Sequence, residues 1–540
     1  MPTAFPPALR LLVAAACLAA PSLAAAELSL PAVFGDHMVL QRDMATPVFG
    51  QADADVEVTV TFGDQTKAAT ADAEGRFSVK LDAMKASAEP QTLTVKAGDE
   101  EKSFSDVLVG EVWVCSGQSN MEWAVSQSTE AEIEILTANR PNLRLIEMAR
   151  VTADQPQDDV VPEMPWTPAT PDSVKNFSAV GYYFGRTLHD ALQVPVGLID
   201  TTWGGTRAEA WTPPEAAAAN DAFRPLFEGW AQRQDRYDPE TAKQLHAKAM
   251  QLWEQKMATF RQKRQEGSLP PGAQQPRRPQ LQADPNTDRH NVSRLWNAMV
   301  AGMVPYAIRG SIWYQGESNS GRAKQYRPVI TTMIEGWRDA WGQGDFPFYQ
   351  VQLANYLEPT DEPGESTWAE LREAQDDATE DLPNVDKVTI TDIGAAKDIH
   401  PKDKQNVAKR LARLALTDVY GLTLSRTGPQ FDGVEFADGE ARVRFRDLGE
   451  GGYKGLETYY RQPLRGFTIA GEDKQFRNVT DARIEGDTVI LRHPQVSSPA
   501  SVRYNWADNP NGTLQNRAGL PAEPFRTDDW PGLTDNVVAP

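Results

Sequence analysis

Three polar clusters and one histidine have the residue types that acyl-transfer chemistry needs. From Val112 to Trp123 the chain reads VWVCSGQSNMEW: an apolar run ends at Cys115, and Ser116, Gly117, Gln118, Ser119 and Asn120 follow. A turn needs one or two such residues. This cluster also brings a hydroxyl, two amides and several backbone N–H groups to a strand end. A serine nucleophile asks for that layout: exposure, with N–H donors at a helix start for a developing oxyanion. TTWGGTRAEAW and IWYQGESNS end two other apolar runs. The paired Gly204 and Gly205 allow close backbone approach to a substrate, and Gln315 offers a side-chain amide donor of the kind oxyanion holes use.

Such a serine also needs a base, usually histidine, and the chain has six. His37 and His493 lie in flanking β-type sequence, His189 in an amphipathic helix and His246 in a charged one. His290 follows a Pro-rich stretch and stays open as an alternative. His400, in AKDIHPKDKQ, follows the apolar run KVTITDIG, and parallel sheets present ligand-facing loops after such strands. Asp398, two residues earlier, is placed to orient its imidazole.

The elements that must position these groups are legible as three regions. Residues 27–105 read as β: VEVTVTF alternates Val56, Val58, Val60 and Phe62 on one face, and GRFSVKL and QTLTVKA follow after turns. Residues 106–420 alternate strands and helices, which predicts a mainly parallel sheet. The strands are DVLVGEVWVC, PVGLIDTTW, IRGSIWYQ, PFYQVQLA and KVTITDIG, with helices at VGYYFGRTLHDAL and KDKQNVAKRLARLALTDVYG. An insertion at about 215–290 interrupts them. It holds a helical stripe of Leu245, Ala249, Trp253, Met257 and Phe260, then the Pro-rich Leu269–Pro285. Residues 421–540 return to β in ARVRFRD, DTVILRH and SVRYNWA.

Residues 1–26 read as a secretory signal peptide: Arg10, the apolar LLVAAACLAA, and small residues before Glu27. Ala14 stands where a lipobox carries Leu, so lipidation at Cys17 is not expected. Only Cys115 remains after cleavage, which leaves an exported chain without an internal disulfide. The net charge of −21 excludes an electrostatic footprint for nucleic acid or anionic lipid. No membrane span, metal-spaced Cys/His cluster or organic-cofactor motif is read, so neither a metal nor a cofactor is expected.

GQSNM, WGGT, WYQGES and DIHPKDKQ, in that order, resemble the sialate O-acetylesterase family of the SGNH hydrolase superfamily. FGDHMVLQR near the mature N-terminus and VRYNWADNPNGTLQNRAGLPAEPFR near the C-terminus extend the resemblance over most of the mature chain. It implies an SGNH-type three-layer α/β/α domain with a mainly parallel sheet, flanked by N- and C-terminal β-sandwich-like regions. It implies Ser119 as nucleophile, His400 as base, and an oxyanion hole of the Ser119 N–H, the Gly204 or Gly205 N–H and Gln315. The superfamily usually carries its acid three residues before the histidine. Lys397 stands there, which leaves Asp398 as the expected third member and Asp392 in reserve; some relatives use a backbone carbonyl instead.

Gln118, Asn120, Trp123, Trp203, Arg207 and Glu317 are the expected substrate-binding residues. Trp123, Trp203 and Trp211 are placed to stack on a sugar ring. Arg207 suits a sugar carboxylate, unless an ion pair to Glu209 claims it. The expected activity is release of acetate from O-acetylated sugars, sialate O-acetylesterase-like, by an exported periplasmic or extracellular enzyme. Acetylated hemicellulose, xylan or xyloglucan, is the alternative substrate. A non-catalytic carbohydrate-binding protein is the rival class; it accounts for the tryptophans and leaves Ser119, Gln315 and His400 together by accident.

Overall fold

The computed structural model describes residues 27–538; the signal peptide expected at 1–26 lies outside them. The chain is mixed α/β, with one large mixed sheet and several smaller β-sheets. Seven strands carry the centre of the large sheet, in the spatial order Val385–Val388, Phe348–Val351, Gly310–Tyr314, Glu100–Gly117, Val196–Thr202, Arg140–Met148 and Pro162–Ala169. Every pairing is parallel except the last, between Arg140–Met148 and Pro162–Ala169. Those two strands extend the sheet beyond what the long apolar runs predict.

Side-chain alternation divides the sheet into two buried faces. Val112, Val114, Ile199 and Trp313 join one apolar cluster; Trp113, Cys115, Leu198, Ile312 and Tyr314 join another. Helices Ala323–Trp341 and Thr367–Asp381 cover the first face, and Ala179–Leu192 and Lys404–Leu414 the second. A strand buried on both faces reads as a continuous apolar run, as VWVC does.

Glu100–Gly117 is long because it serves two regions. Its first part pairs antiparallel with Ser87–Ala97 and parallel with Val39–Gln41, and its last part lies between Val196–Thr202 and Gly310–Tyr314. The strand therefore runs through the 105/106 boundary, and the N-terminal β region shares an apolar cluster with the central sheet. Beyond this strand the chain builds first to one side of the sheet and later to the other. The strand tip is thus a topological switch point, the place where open α/β sheets leave a crevice.

The insertion forms helices Pro214–Ala219, Arg224–Arg236 and Pro239–Gln265. Ala242 and Met257 are buried and Trp253 half-buried, whereas Leu245 is exposed, so the buried face of this helix is turned away from Leu245. The Pro-rich segment folds back on this helix, where the Pro276 carbonyl accepts from Trp253 Nε1 at 2.9 Å. The C-terminal region contributes two four-stranded sheets around a separate apolar cluster. It is tied to the central domain by the buried Arg372, which donates to the carbonyls of Leu353, Ala354, Ala507 and Asp508.

Candidate active site

Three strand tips converge. Gly117 ends the central strand at φ 134°, and a Cβ there would lie 2.3 Å from the Tyr314 carbonyl oxygen, so only glycine lets the chain turn this close to its neighbour. Gln118 N–H donates to that same carbonyl at 3.0 Å, and Trp203 N–H donates to the Gly117 carbonyl at 3.1 Å. A single helical turn, Ser119–Glu122, follows. It delivers Ser119 Oγ to 2.9 Å from His400 Nε2, although 281 residues separate the two in sequence.

His400 is half-buried, and its ring stacks on Trp123 with centroids 4.9 Å apart and planes 16° from parallel. Trp123, expected against a sugar, thus packs on the imidazole. Burial lowers the His400 pKa from its ordinary value, and the Lys404 charge lowers it further. Asp398 acts in the opposite direction: its Oδ1 lies 3.5 Å from Nδ1 and accepts the backbone N–H of His400 at 2.9 Å. That is beyond an ordinary N–H···O bond, so Asp398 supports the histidine loop more tightly than the ring. Asp392, the reserve, forms a two-pronged pair with Arg410 instead.

The glycine loop lies against the serine. A Cβ on Gly204 would stand 3.2 Å from the Ser119 Cβ, and the Gly204 N–H donates to the Glu122 carboxylate. Arg150 reaches the other Glu122 oxygen at 3.3 Å and also pairs with Glu147 and Glu163.

Gln315 is present but turned inward. It is fully buried, and its amide donates to the Thr206 carbonyl at 3.2 Å and to Asn319 Oδ1 at 2.7 Å. With both N–H bonds engaged there, the side chain has no donor left for a substrate oxygen, contrary to its expected place in an oxyanion hole. Asn319 in turn bonds Glu209, which pairs with Arg322 at 2.7 Å. Glu209 is therefore not the partner of Arg207. Arg207 has no carboxylate within ion-pair distance among the described residues, and its Nη1 is buried without a hydrogen bond. Arg289 caps the Trp203 ring at 5.4 Å, and His290 Nδ1 beside it is likewise unpartnered. Trp211 is fully buried core, not a stacking platform.

Gln118 and Glu317 belong to the loops beneath the serine. Gln118 is buried, and its Oε1 accepts from the Ser318 N–H at 3.4 Å. Burial raises the Glu317 pKa; one carboxylate oxygen accepts from Asn120 Nδ2 at 2.6 Å while the other is buried and unpaired. Two contributors lie outside the expected set: Glu122 and Lys404. Glu122 gave no signal in SNMEW, where an acid in the first turn is ordinary capping chemistry. Lys404 did give one, because a lysine opening a helix runs against the helix dipole.

Among the described residues no group of three or more His, Cys, Asp or Glu is disposed to hold a metal ion, and no helix is long and apolar enough to cross a membrane.

Residues 284–417 match the family model described as carbohydrate esterase, sialic acid-specific acetylesterase. The human sialate O-acetylesterase is 29% identical over an alignment of 562 residues, covering 93% of this chain and 94% of that protein. The mouse protein is 31% identical over 418 residues, 72% of each. The crystal structure of a novel carbohydrate acetylesterase from Xanthomonas citri superposes with a TM-score of 0.75 at 33% identity, covering 93% of this chain and 100% of that one. The protein is a carboxylic-ester hydrolase. More narrowly, it belongs to the sialate O-acetylesterase family of carbohydrate esterases.

Proposed function

We propose that this chain is an exported carbohydrate O-acetylesterase with an SGNH-type three-layer domain, working through a Ser119 acyl-enzyme. The 2.9 Å approach of Ser119 Oγ to His400 Nε2 is the observation that carries the reading. The hydroxyl donates its proton to Nε2 as Oγ attacks the acetyl carbonyl carbon. The resulting oxyanion is received by backbone N–H groups of Ser119 and of Gly205, or of Gly204 where it displaces the Glu122 carboxylate from that N–H. His400 returns the proton to the departing sugar oxygen, and water activated by the same imidazole then hydrolyses the acetyl-enzyme to acetate. Trp123 and Asp398 keep the ring facing the serine.

Acetylated sialic acid is the substrate that the human and mouse relatives' names point to, with acetylated hemicellulose as the alternative. An unpaired Arg207 beside the glycine loop favours the first, because it suits a sugar carboxylate. The test is acetate release across a panel of acetylated sialic acids, hemicellulose oligosaccharides and an aryl acetate, with Ser119→Ala alongside. Turnover by Ser119→Ala near that of the wild type would refute the assignment. A chain that binds sugars but releases no acetate would be the non-catalytic rival.

A further inference from the structure

Lys404 is a buried charge that the mechanism above leaves unused. It is fully buried four residues after His400, and it opens the helix Lys404–Leu414, for which the Asp403 side chain is the N-cap. Both features cost free energy. An ammonium loses its hydration on burial, and at a helix start it faces the positive end of the dipole. Burial draws its pKa down to about 7 against the pull of Glu317, Asp398 and Asp403. A charge kept in so unfavourable a place calls for a role.

Its contacts supply one. Nζ donates to Asn120 Oδ1 at 2.6 Å and lies 5.1 Å from the Tyr314 ring centre and 5.9 Å from that of Trp123. Asn120 Nδ2 donates to Glu317 Oε1 at 2.6 Å and to the Ile399 carbonyl at 3.1 Å. One amide thus joins the serine loop, the Glu317 loop and the histidine loop. Asn120 directly follows Ser119 in sequence, and Ile399, whose carbonyl it bonds, directly precedes His400. The two ends of an asparagine amide are nearly isosteric, and a protonated lysine, with three donors and no acceptor, accepts only one orientation. A turned amide would set its oxygen against a carbonyl and a carboxylate.

We propose that Lys404 is a positioning residue of the hydrolysis: by fixing the Asn120 amide it holds Ser119 and His400 at bonding distance and keeps a positive charge beneath the imidazole. The proposal rests on the Ser119–His400 reading. The charged groups around this pair are Glu317, Asp398 and Asp403 toward Lys404, and Asp398 and Glu122 toward His400. Asp398 and Glu122 favour protonation of the base, and Lys404 opposes them. Without the lysine, His400 takes up its proton at higher pH.

Lys404→Met keeps the unbranched stem between Trp123 and Tyr314 and removes the charge. Its kcat is expected to fall roughly 10- to 100-fold with KM little changed, the cost of a misplaced reacting pair. The acid limb of its kcat/KM profile is expected to move to higher pH. Asn120→Ala, which keeps the charge, should lose a similar factor in kcat with its acid limb in place. A folded Lys404→Met within about twofold of wild-type kcat overturns the proposal, as does lost activity with an unmoved acid limb. If Lys404→Met does not fold, Asn120→Ala decides, and near-wild-type kcat overturns the proposal. A wild-type chain that releases no acetate overturns the esterase reading and this proposal together. An active wild type with an indifferent Lys404→Met overturns the proposal alone.

Discussion

The Glu122 carboxylate accepts the backbone N–H of Gly204, and a Cβ on that glycine would come 3.2 Å from the Ser119 Cβ and 2.9 Å from a Glu122 oxygen. The nucleophile, the glycine loop and the acid three residues beyond the serine are therefore packed as one unit. A substrate oxyanion reaching the Gly204 N–H competes with that carboxylate.

Gly204→Ala should accordingly fold and lose activity. The Gly204 φ lies outside the left-handed region, so alanine meets no left-handed backbone penalty there, and the added methyl presses on the Glu122 carboxylate at 2.9 Å and the Ser119 Cβ at 3.2 Å. The expected loss in kcat is on the order of 10²-fold, the scale of a reacting group displaced by about 1 Å. Kinetics and a melting curve on the same variant check it; wild-type kcat would mean that the loop moves aside freely.

The pH profile follows from the groups around His400. The base must be neutral to take the serine proton, so activity falls as pH drops through the His400 pKa. Burial and Lys404 lower that pKa, which places the acid limb of kcat/KM below the ordinary histidine value of about 6.5. Asp398 raises it, so Asp398→Ala should move the limb lower still. At 3.5 Å from Nδ1 the carboxylate contributes modest orientation, and its removal should cost about 10-fold in kcat, against several orders of magnitude for His400→Ala. A limb above the ordinary value, or equal losses for both variants, would contradict this account.

Gln315 behaves differently from what its motif suggests. Its two N–H bonds hold the Thr206 carbonyl and Asn319, which in turn holds Glu209. Gln315→Ala leaves the buried Thr206 carbonyl unsatisfied, at a cost of about 1–3 kcal/mol, and takes one of two donors from Asn319 Oδ1, which keeps the Ala208 N–H at 3.2 Å. The expected result is a lowered Tm with a smaller change in kcat. An unchanged Tm with kcat reduced on the order of 10²-fold would restore Gln315 to the oxyanion hole.

The same contrast marks what the sequence could and could not convey. Most strands with long apolar runs were legible because burial on both faces leaves a strong pattern, with the serine and glycine clusters at their tips; KVTITDIG is the exception, since the strand is Val385–Val388 and residues 389–394 lie beyond it. Arg140–Met148 and Pro162–Ala169 were not legible, since PNLRLIEM and PEMPWTPA interleave polar residues and prolines. Residue type showed that Gln315 had donors but not where they pointed; its neighbours Thr206 and Asn319 decide that. Trp123, Trp203 and Trp211 look alike in sequence, yet one stacks on His400, one is capped by Arg289 and one is buried. Orientation within a cluster depends on partners far away in the chain.

The last prediction concerns the sugar. The ion pair between Arg207 and Glu209 that the sequence allows is not formed, because Arg322 and Asn319 occupy Glu209. Arg207 keeps a buried, unbonded Nη1, and burial lowers its pKa although Glu209 and Asp288 pull the other way. A guanidinium with no carboxylate at ion-pair distance among the described residues, in a chain of net charge −21, is suited to a carboxylate brought by the substrate. Arg207→Gln should then weaken activity on an acetylated sialic acid much more than on a neutral aryl acetate. A lost charged hydrogen bond of about 1.5–3 kcal/mol corresponds to roughly 10- to 150-fold. Acetylated hemicellulose has no carboxylate to lose and should show no such penalty. Parallel kcat/KM measurements on the three substrates decide the matter: equal, small losses on all of them would leave Arg207 a packing residue and remove the structural argument for an acidic sugar.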